Sequence, residues 1–208
     1  MQGPSVANYL TKTLGDKKVC VIDDSTDYGL GLAQAVRQTL GAADSACNVE
    51  VKRGDKDFSA AVAQLSAAAP DAMFYGGYYT EAALLVAQLR TANVTATFAT
   101  GDAANDLEFV KQAGESSAGA ILSCPSAPSA GPFADAYSRM FGQPPGTYSA
   151  ESYDLATIML KAIDSGHFTR PAMLDFIRNY QGQGVARQYQ WASNGELKSN
   201  LIWMYRVQ

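Results

Sequence analysis

Apolar residues recur along the chain in two alternating rhythms. Short runs of β-branched and aromatic residues bounded by Gly, Asp or Ser read as strands, and apolar residues spaced three and four apart read as helices. Val19 to Ile22 is an unbroken apolar run, the mark of a strand buried on both faces. Ahead of it, Ser5 to Leu14 puts Val6, Leu10 and Leu14 on one helical face, with Gly15 as a stop. Behind it, Leu32, Val36 and Leu40 share a face that closes at Gly41. Val49 and Val51 then mark a short strand, Phe58, Val62 and Leu65 a helix, and Ala72 to Tyr75 a strand. Leu85, Val86 and Leu89 line a further helix, and Thr97 to Thr100 is β-prone. Asp106 is placed to cap a helix carrying Leu107 and Val110 and closed by Gly114, and Ala120 to Cys124 is a last buried strand. This alternation predicts an α/β domain over residues 1 to 124, a parallel sheet sandwiched by helices.

The texture changes at Pro125 to Pro132, where PSAPSAGP can continue neither a helix nor a central strand. Helical patterns follow: Phe133, Tyr137 and Met140; then Leu155, Ile158, Met159 and Ala162 in a helix from Tyr153 to Ile163; then a third capped by Thr169, with Pro171 in its first turn and Met173 and Ile177 inside. Gln188 to Trp191 and Leu201 to Val207 read as strands, with a turn signal at Asn194-Gly195 between them. This second part offers no strand of its own before residue 188, although amphipathic helices need a surface to cover.

Composition narrows the classes. The chain has 208 residues, 47% of them hydrophobic, and a mean hydropathy of −0.11. No run approaches the ~18 to 20 apolar residues of a membrane span. A net charge of −4, a pI near 4.9 and the lack of a basic stripe make nucleic acid and anionic membrane poor partners. The Cys residues (20, 47 and 124) form no CxxC pair and His167 is the sole histidine, so no metal site or cofactor is expected. Cys20, inside VCVI, reads as a buried core residue, and the odd cysteine count leaves the redox compartment open. His167, in a helix-end loop, reads as a surface residue, and no nucleophile–base pair emerges from the spacing.

Candidate chemistry concentrates at Asp71 to Asp106, which reads as strand, Gly-Gly turn, helix and strand. In such βαβ units ligands sit at the carboxyl ends of the strands. Tyr78 and Asp102 occupy those ends, and a phenol beside a carboxylate suits a small cation-bearing molecule. Asp23, Asp24 and Asp27 make an acidic strand end after the first buried run. Such acids hold Mg²⁺ in receiver domains, but the phosphoacceptor Asp and the later Lys of that fold have no counterpart here. The plainer reading is that these acids cap the next helix and are solvated. Gly29-Leu30-Gly31 lacks the third glycine of a dinucleotide loop, since Gln34 stands in its place.

GGYYTEAALLVAQLR followed by GDAAND resembles the second lobe of the periplasmic branched-chain amino-acid binding proteins, the type I solute-binding family of ABC importers. KKVCVIDDSTDYGLGLA, GDKDFSAAVAQL, MFYGGYYTEA and GDAAND follow in family-like order, and the later Pro-Gly-Thr-Tyr-Ser and Ser-Asn-Gly-Glu-Leu segments fit too, so the likeness covers nearly the whole chain. The resemblance implies that residues 1 to 124 are the second lobe. Residues 125 to 187 are then a helical returning part of the first lobe, and 188 to 208 are terminal strands crossing back. Most of the first lobe would lie outside this chain. It further implies that Tyr28, Tyr78 and Asp102 contact an amino-acid ligand and that Tyr148 packs against its side chain.

The function so implied is capture of a small amino acid or amide in an interlobe cleft by hinge closure, with no chemical transformation and with an ABC permease as partner. The location implied is the periplasm, although Met1 to Pro4 carry no leader pattern. Self-association through the uncovered first-lobe surface is a further expectation. Asp102 is shorter than the family's usual acid, and Tyr148 stands where Phe is frequent. Both departures leave the ligand's side chain open. The alternatives are a ligand-sensing domain of a receptor or regulator, and an α/β enzyme or receiver using Asp23 and Asp24.

Overall fold

A computed structural model describes every residue except Asn200. The first helix, α1 (Gln2–Asn8), begins three residues earlier than its periodicity predicts, since Gln2, Gly3 and Pro4 already follow the helical path. It runs on through a wider π-helical turn, Tyr9–Leu14, and stops at Gly15, whose φ of 84° is the left-handed conformation that glycine adopts without strain. Then β1 (Val19–Asp23), α2 (Asp27–Asp44), β2 (Ser45–Glu50), α3 (Ser59–Ala68), β3 (Ala72–Gly76), α4 (Tyr79–Thr91), β4 (Thr97–Thr100), α5 (Leu107–Ala113) and β5 (Ile121–Cys124) follow in order. The helical path of α2 breaks at Gly41.

These strands, joined by β8 (Trp203–Arg206), form one six-stranded sheet in the order β2-β1-β3-β4-β5-β8. The first five run parallel and β8 pairs antiparallel with β5. Alternate side chains divide between two cores, as the pleat requires. Val19, Val21, Ala72, Phe74, Ala99 and Ile121 pack under α1 and α2. Cys20, Ile22, Met73, Tyr75, Phe98 and Leu122 pack under α3, α4 and α5. Burial on both faces explains why β1 and β3 are apolar without alternation.

One compact unit comprises Met1–Pro125 with Ile202–Gln208, and a second comprises Ser126–Leu201. The second holds α6 (Gly131–Phe141), α7 (Ser149–Asp164), α8 (Arg170–Asn179) and a two-stranded antiparallel sheet of β6 (Gln181–Gln183) and β7 (Gln188–Gln190).

Several expectations need correction. Gln181–Gln183 forms a strand that the sequence hides, because its residues carry no apolar alternation. The strand at Gln188–Gln190 stays in the second unit, so only Ile202–Gln208 joins the large sheet. The helix predicted from Tyr153 begins at Ser149. On α5 the buried residues are Phe109 and Ala113, while Leu107 is 86% exposed and Val110 faces solvent in part. Cys20 is more than a buried apolar residue, since it is disulfide-bonded to Cys47 at the same register of β1 and β2.

Candidate functional site at the carboxyl edge of the sheet

Strand order creates the site. The chain leaves β1 toward β2 on one side, then crosses back over β1 to β3 and continues outward on the other side. Connections therefore diverge between the carboxyl ends of β1 and β3, the place where open α/β sheets hold ligands. Tyr28 follows β1 and Tyr78 follows β3. Their rings lie 5.4 Å apart at a tilt of 46°.

Local capping fixes Tyr28. Asp24 is 1% exposed and its Oδ1 accepts hydrogen bonds from the backbone N–H and the hydroxyl of Thr26 at 3.0 and 2.6 Å. Thr26 Oγ1 in turn accepts from Gly29 N–H at 3.0 Å, capping α2. Tyr28 thus sits in the first turn of a locked helix start. Tyr78 is placed by the Gly76-Gly77 turn and forms the N-cap position of α4.

Asp102 joins them from the end of β4. Its Oδ1 accepts hydrogen bonds from the Tyr28 hydroxyl and from Gln2 Nε2, both at 2.9 Å. The Tyr28 oxygen also accepts from Ala103 N–H at 3.3 Å. Burial and the neighbouring Asp102 carboxylate push the Tyr28 phenol above its ordinary pKa, so it remains a donor at neutral pH. The Tyr28 and Gln2 donors to Oδ1 are both neutral groups. Gly101 keeps the approach close: a Cβ there would lie 2.6 Å from the Tyr28 hydroxyl and 2.7 Å from Leu32.

Gln2 is the residue that sequence reasoning missed. Its amide also donates to the Ser123 carbonyl at 2.8 Å, tying α1 to the end of β5. The two contacts span 100 and 121 positions, and no local pattern announces such a pairing.

Of the neighbouring acids, Asp23 and Asp24 are buried and Asp27 is exposed. Asp23 is 5% exposed and bound by the Arg37 guanidinium at 2.5 Å. It borders a separate cavity of about 380 Å³ with Ser25, Leu30, Arg37, Asn48, Val49 and Glu50. Asp24 serves the turn as described, and Asp27 lies in the first turn of α2. The expectation of solvated helix-capping acids is therefore corrected for two of the three: Thr26 is the cap, Asp23 and Asp24 are internal, and Asp27 alone is exposed at the helix start. Among the described residues no group of three or more His, Cys, Asp and Glu could hold a metal, and no helix is long and apolar enough to cross a membrane.

Tyr148 belongs to the second unit. It has a φ of 65° at the start of α7, a costly conformation for a residue with a Cβ. Its backbone N–H donates to Ser126 Oγ at 3.2 Å, and Ser126 Oγ donates to Glu151 Oε2 at 2.9 Å. Glu151 Oε1 accepts from the Arg187 guanidinium at 3.0 Å. Beside them, Asp154 accepts from Val185 N–H, Ala186 N–H and the Tyr189 hydroxyl.

A family model described as periplasmic binding protein matches residues 1–208. The leucine-, isoleucine-, valine-, threonine- and alanine-binding protein of Pseudomonas aeruginosa is 30% identical over 172 residues, covering 79% of this chain and 46% of that protein. The Leu/Ile/Val/Thr-binding protein of Salmonella typhimurium is 28% identical over 206 residues, covering 95% and 55%. The chain thus spans about half the length of the curated relatives it matches. A leucine binding protein of Thermotoga maritima superposes with a TM-score of 0.91 at 27% identity, over 100% of this chain and 62% of that one. A branched-chain amino acid transporter substrate binding protein of Streptococcus pneumoniae, in complex with isoleucine, gives 0.88 at 25% identity over 99% and 61%. These relatives are binding proteins, not enzymes. With the whole chain matched and the sheet, its switch point and its strand-end residues in place, the chain belongs to the periplasmic binding protein family.

Proposed function

We propose that this chain is the solute-capturing part of an ABC importer's binding protein, working in the periplasm, and that it holds a small amino acid or amino-acid-like solute without transforming it. The observation that carries this reading is the carboxylate of Asp102 at the carboxyl edge of the sheet, held by the Tyr28 phenol and the Gln2 amide beside the ring of Tyr78. A ligand ammonium leaving water needs an opposite charge, because an unpaired buried charge is costly. Asp102 supplies it with a charge-assisted hydrogen bond. Tyr28 and Tyr78 supply apolar area and a hydroxyl each.

The second unit is read as the returning part of the first lobe, with Tyr148 offered to the solute's side chain. Solute binding favours a closed form, and a membrane permease recognises that form. The names of the relatives support an amino acid as cargo.

The test is calorimetry of the 208-residue chain with a panel of amino acids and amides, beside Asp102→Ala. A complete micromolar site corresponds to about −8 kcal/mol. Loss of one charged partner costs ~2–5 kcal/mol. Saturable binding is therefore expected at high micromolar to millimolar concentration and is expected to vanish in Asp102→Ala. Undiminished binding in the variant would overturn the reading.

A further inference from the structure

The strand-end site has a second charged end. The loop after β2 carries Arg53, whose guanidinium carbon lies 4.3 Å from the centroid of the Tyr78 ring. Its backbone N–H donates to the Asp24 carbonyl at 3.2 Å, which ties this loop to the end of β1. The side chain is exposed, and among the described residues none accepts a hydrogen bond from it or forms an ion pair with it. The buried acids next to the loop each accept hydrogen bonds from neutral donors of the fold. Glu81 Oε1 accepts from Gly54 N–H at 2.8 Å, and Asp24 Oδ1 accepts from Thr26. Arg53 holds a positive charge and five N–H donors over an aromatic face, with no hydrogen-bonded or ion-paired partner among the described residues.

Contacts link this guanidinium to Asp102 in an unbroken row. Arg53 stacks on Tyr78, Tyr78 meets Tyr28 at 5.4 Å, and Tyr28 donates to Asp102 at 2.9 Å. One end of the row is negative and the other positive, with two phenol rings between. A solute that matches it has an ammonium at the Asp102 end and an anionic group at the Arg53 end. An α-carboxylate is one carbon removed from its ammonium and stays at the Asp102 end. The anion that reaches across two rings has to lie farther along the side chain.

We infer that Arg53 is a specificity-determining residue of this site and that the preferred solute is an amino acid whose side chain ends in a carboxylate. The inference rests on the solute-binding function proposed above and narrows its ligand. The planar guanidinium suits a carboxylate because the two can form paired parallel hydrogen bonds. Stacking on Tyr78 holds the guanidinium in place before the solute arrives.

The experiment titrates the 208-residue chain with L-glutamate, L-glutamine and L-leucine, and repeats this with Arg53→Gln, Arg53→Lys and Asp102→Ala. Glutamate is expected to bind about tenfold or more tightly than glutamine, since the charged partner of the guanidinium is lost in the amide. Arg53→Gln is expected to bring the glutamate-to-glutamine ratio near one, and Arg53→Lys, which keeps the charge without the fork, to retain part of it. Equal or better binding of glutamine or leucine, or a ratio unmoved by Arg53→Gln, overturns the inference. If Asp102→Ala still abolishes binding in that case, the solute-binding function stands. Absence of saturable binding for all three solutes overturns the inference, and absence of binding across the whole panel of amino acids and amides overturns the solute-binding function as well.

Discussion

Glu151 is held on both carboxylate oxygens. It is 9% exposed, and its two oxygens are taken by Ser126 and by Arg187, itself 7% exposed. Removing the carboxylate takes a counter-charge from a buried guanidinium, which costs ~3–5 kcal/mol in comparable buried pairs. Glu151→Ala is therefore expected to lower the urea midpoint by that order, and adding Arg187→Met is expected to restore a large part of it. A single variant as stable as the parent would show that the pair is not stabilising the unit. The same substitution removes one acceptor of Ser126, whose Oγ accepts from the backbone N–H of Tyr148 at its positive φ. None of this is visible at residue level in the sequence. Ser126 sits in the proline-rich stretch that can continue neither a helix nor a central strand, and Glu151 and Arg187 lie 36 positions apart. Asp102 was legible by contrast, because a strand end followed by Gly-Asp is a local pattern.

At the scale of elements, the edge of the sheet carries a covalent tie. β2 is the outermost strand and exposes alternate residues, with Cys47 turned toward the core that contains Cys20. The disulfide joins residues 27 positions apart across the β1–β2 pair. Closing a loop of this length restricts the unfolded chain by roughly 3–4 kcal/mol in the chain-entropy model. Denaturation of the wild type in the presence of a reductant is expected to shift to lower urea by about that free energy. The double variant Cys20→Ala/Cys47→Ala is expected to start from the lower midpoint and show no response to reductant. A wild type indifferent to reductant would mean that β2 is held by packing alone. The cysteine spacing could not announce this bond, since three cysteines allow three pairings and only the parallel register of β1 and β2 brings two of them together.

For the whole molecule, pH response follows from tyrosines. Burial, with carboxylates nearby, raises the phenol pKa of Tyr28, Tyr75 and Tyr189 above the ordinary 10.0, Asp102, Asp24 and Asp154 being the leading neighbours respectively. A raised folded pKa means that the unfolded chain loses these protons first. Their contribution is whole below pH 10 and falls as pH rises beyond it. Thermal midpoints are therefore expected to hold steady from neutral pH to about 10 and to decline above it. Phenolate absorbance is expected to show that part of the 11 tyrosines titrates only on unfolding. Full titration of all tyrosines in a chain that is still folded would contradict this. Three tyrosines in two separate units share the trend, so it is a property of the molecule and not of one site.

The sequence by itself determined the α/β class, the order of the first five strands along the chain and the residues at their ends. Those signals are local: an apolar run of four or five residues reports burial on both faces, and Gly-Gly or Gly-Asp marks where a strand stops. Apolar spacing located the helices but misjudged which side of α5 is buried, because that depends on what the helix meets. Only the tertiary structure decided that Gln2 reaches Asp102, that Arg53 covers Tyr78, that Cys20 bonds Cys47 and that β6 pairs with β7. Each of these joins groups distant in sequence, and strand order and crossover direction, not residue type, set which distant groups meet.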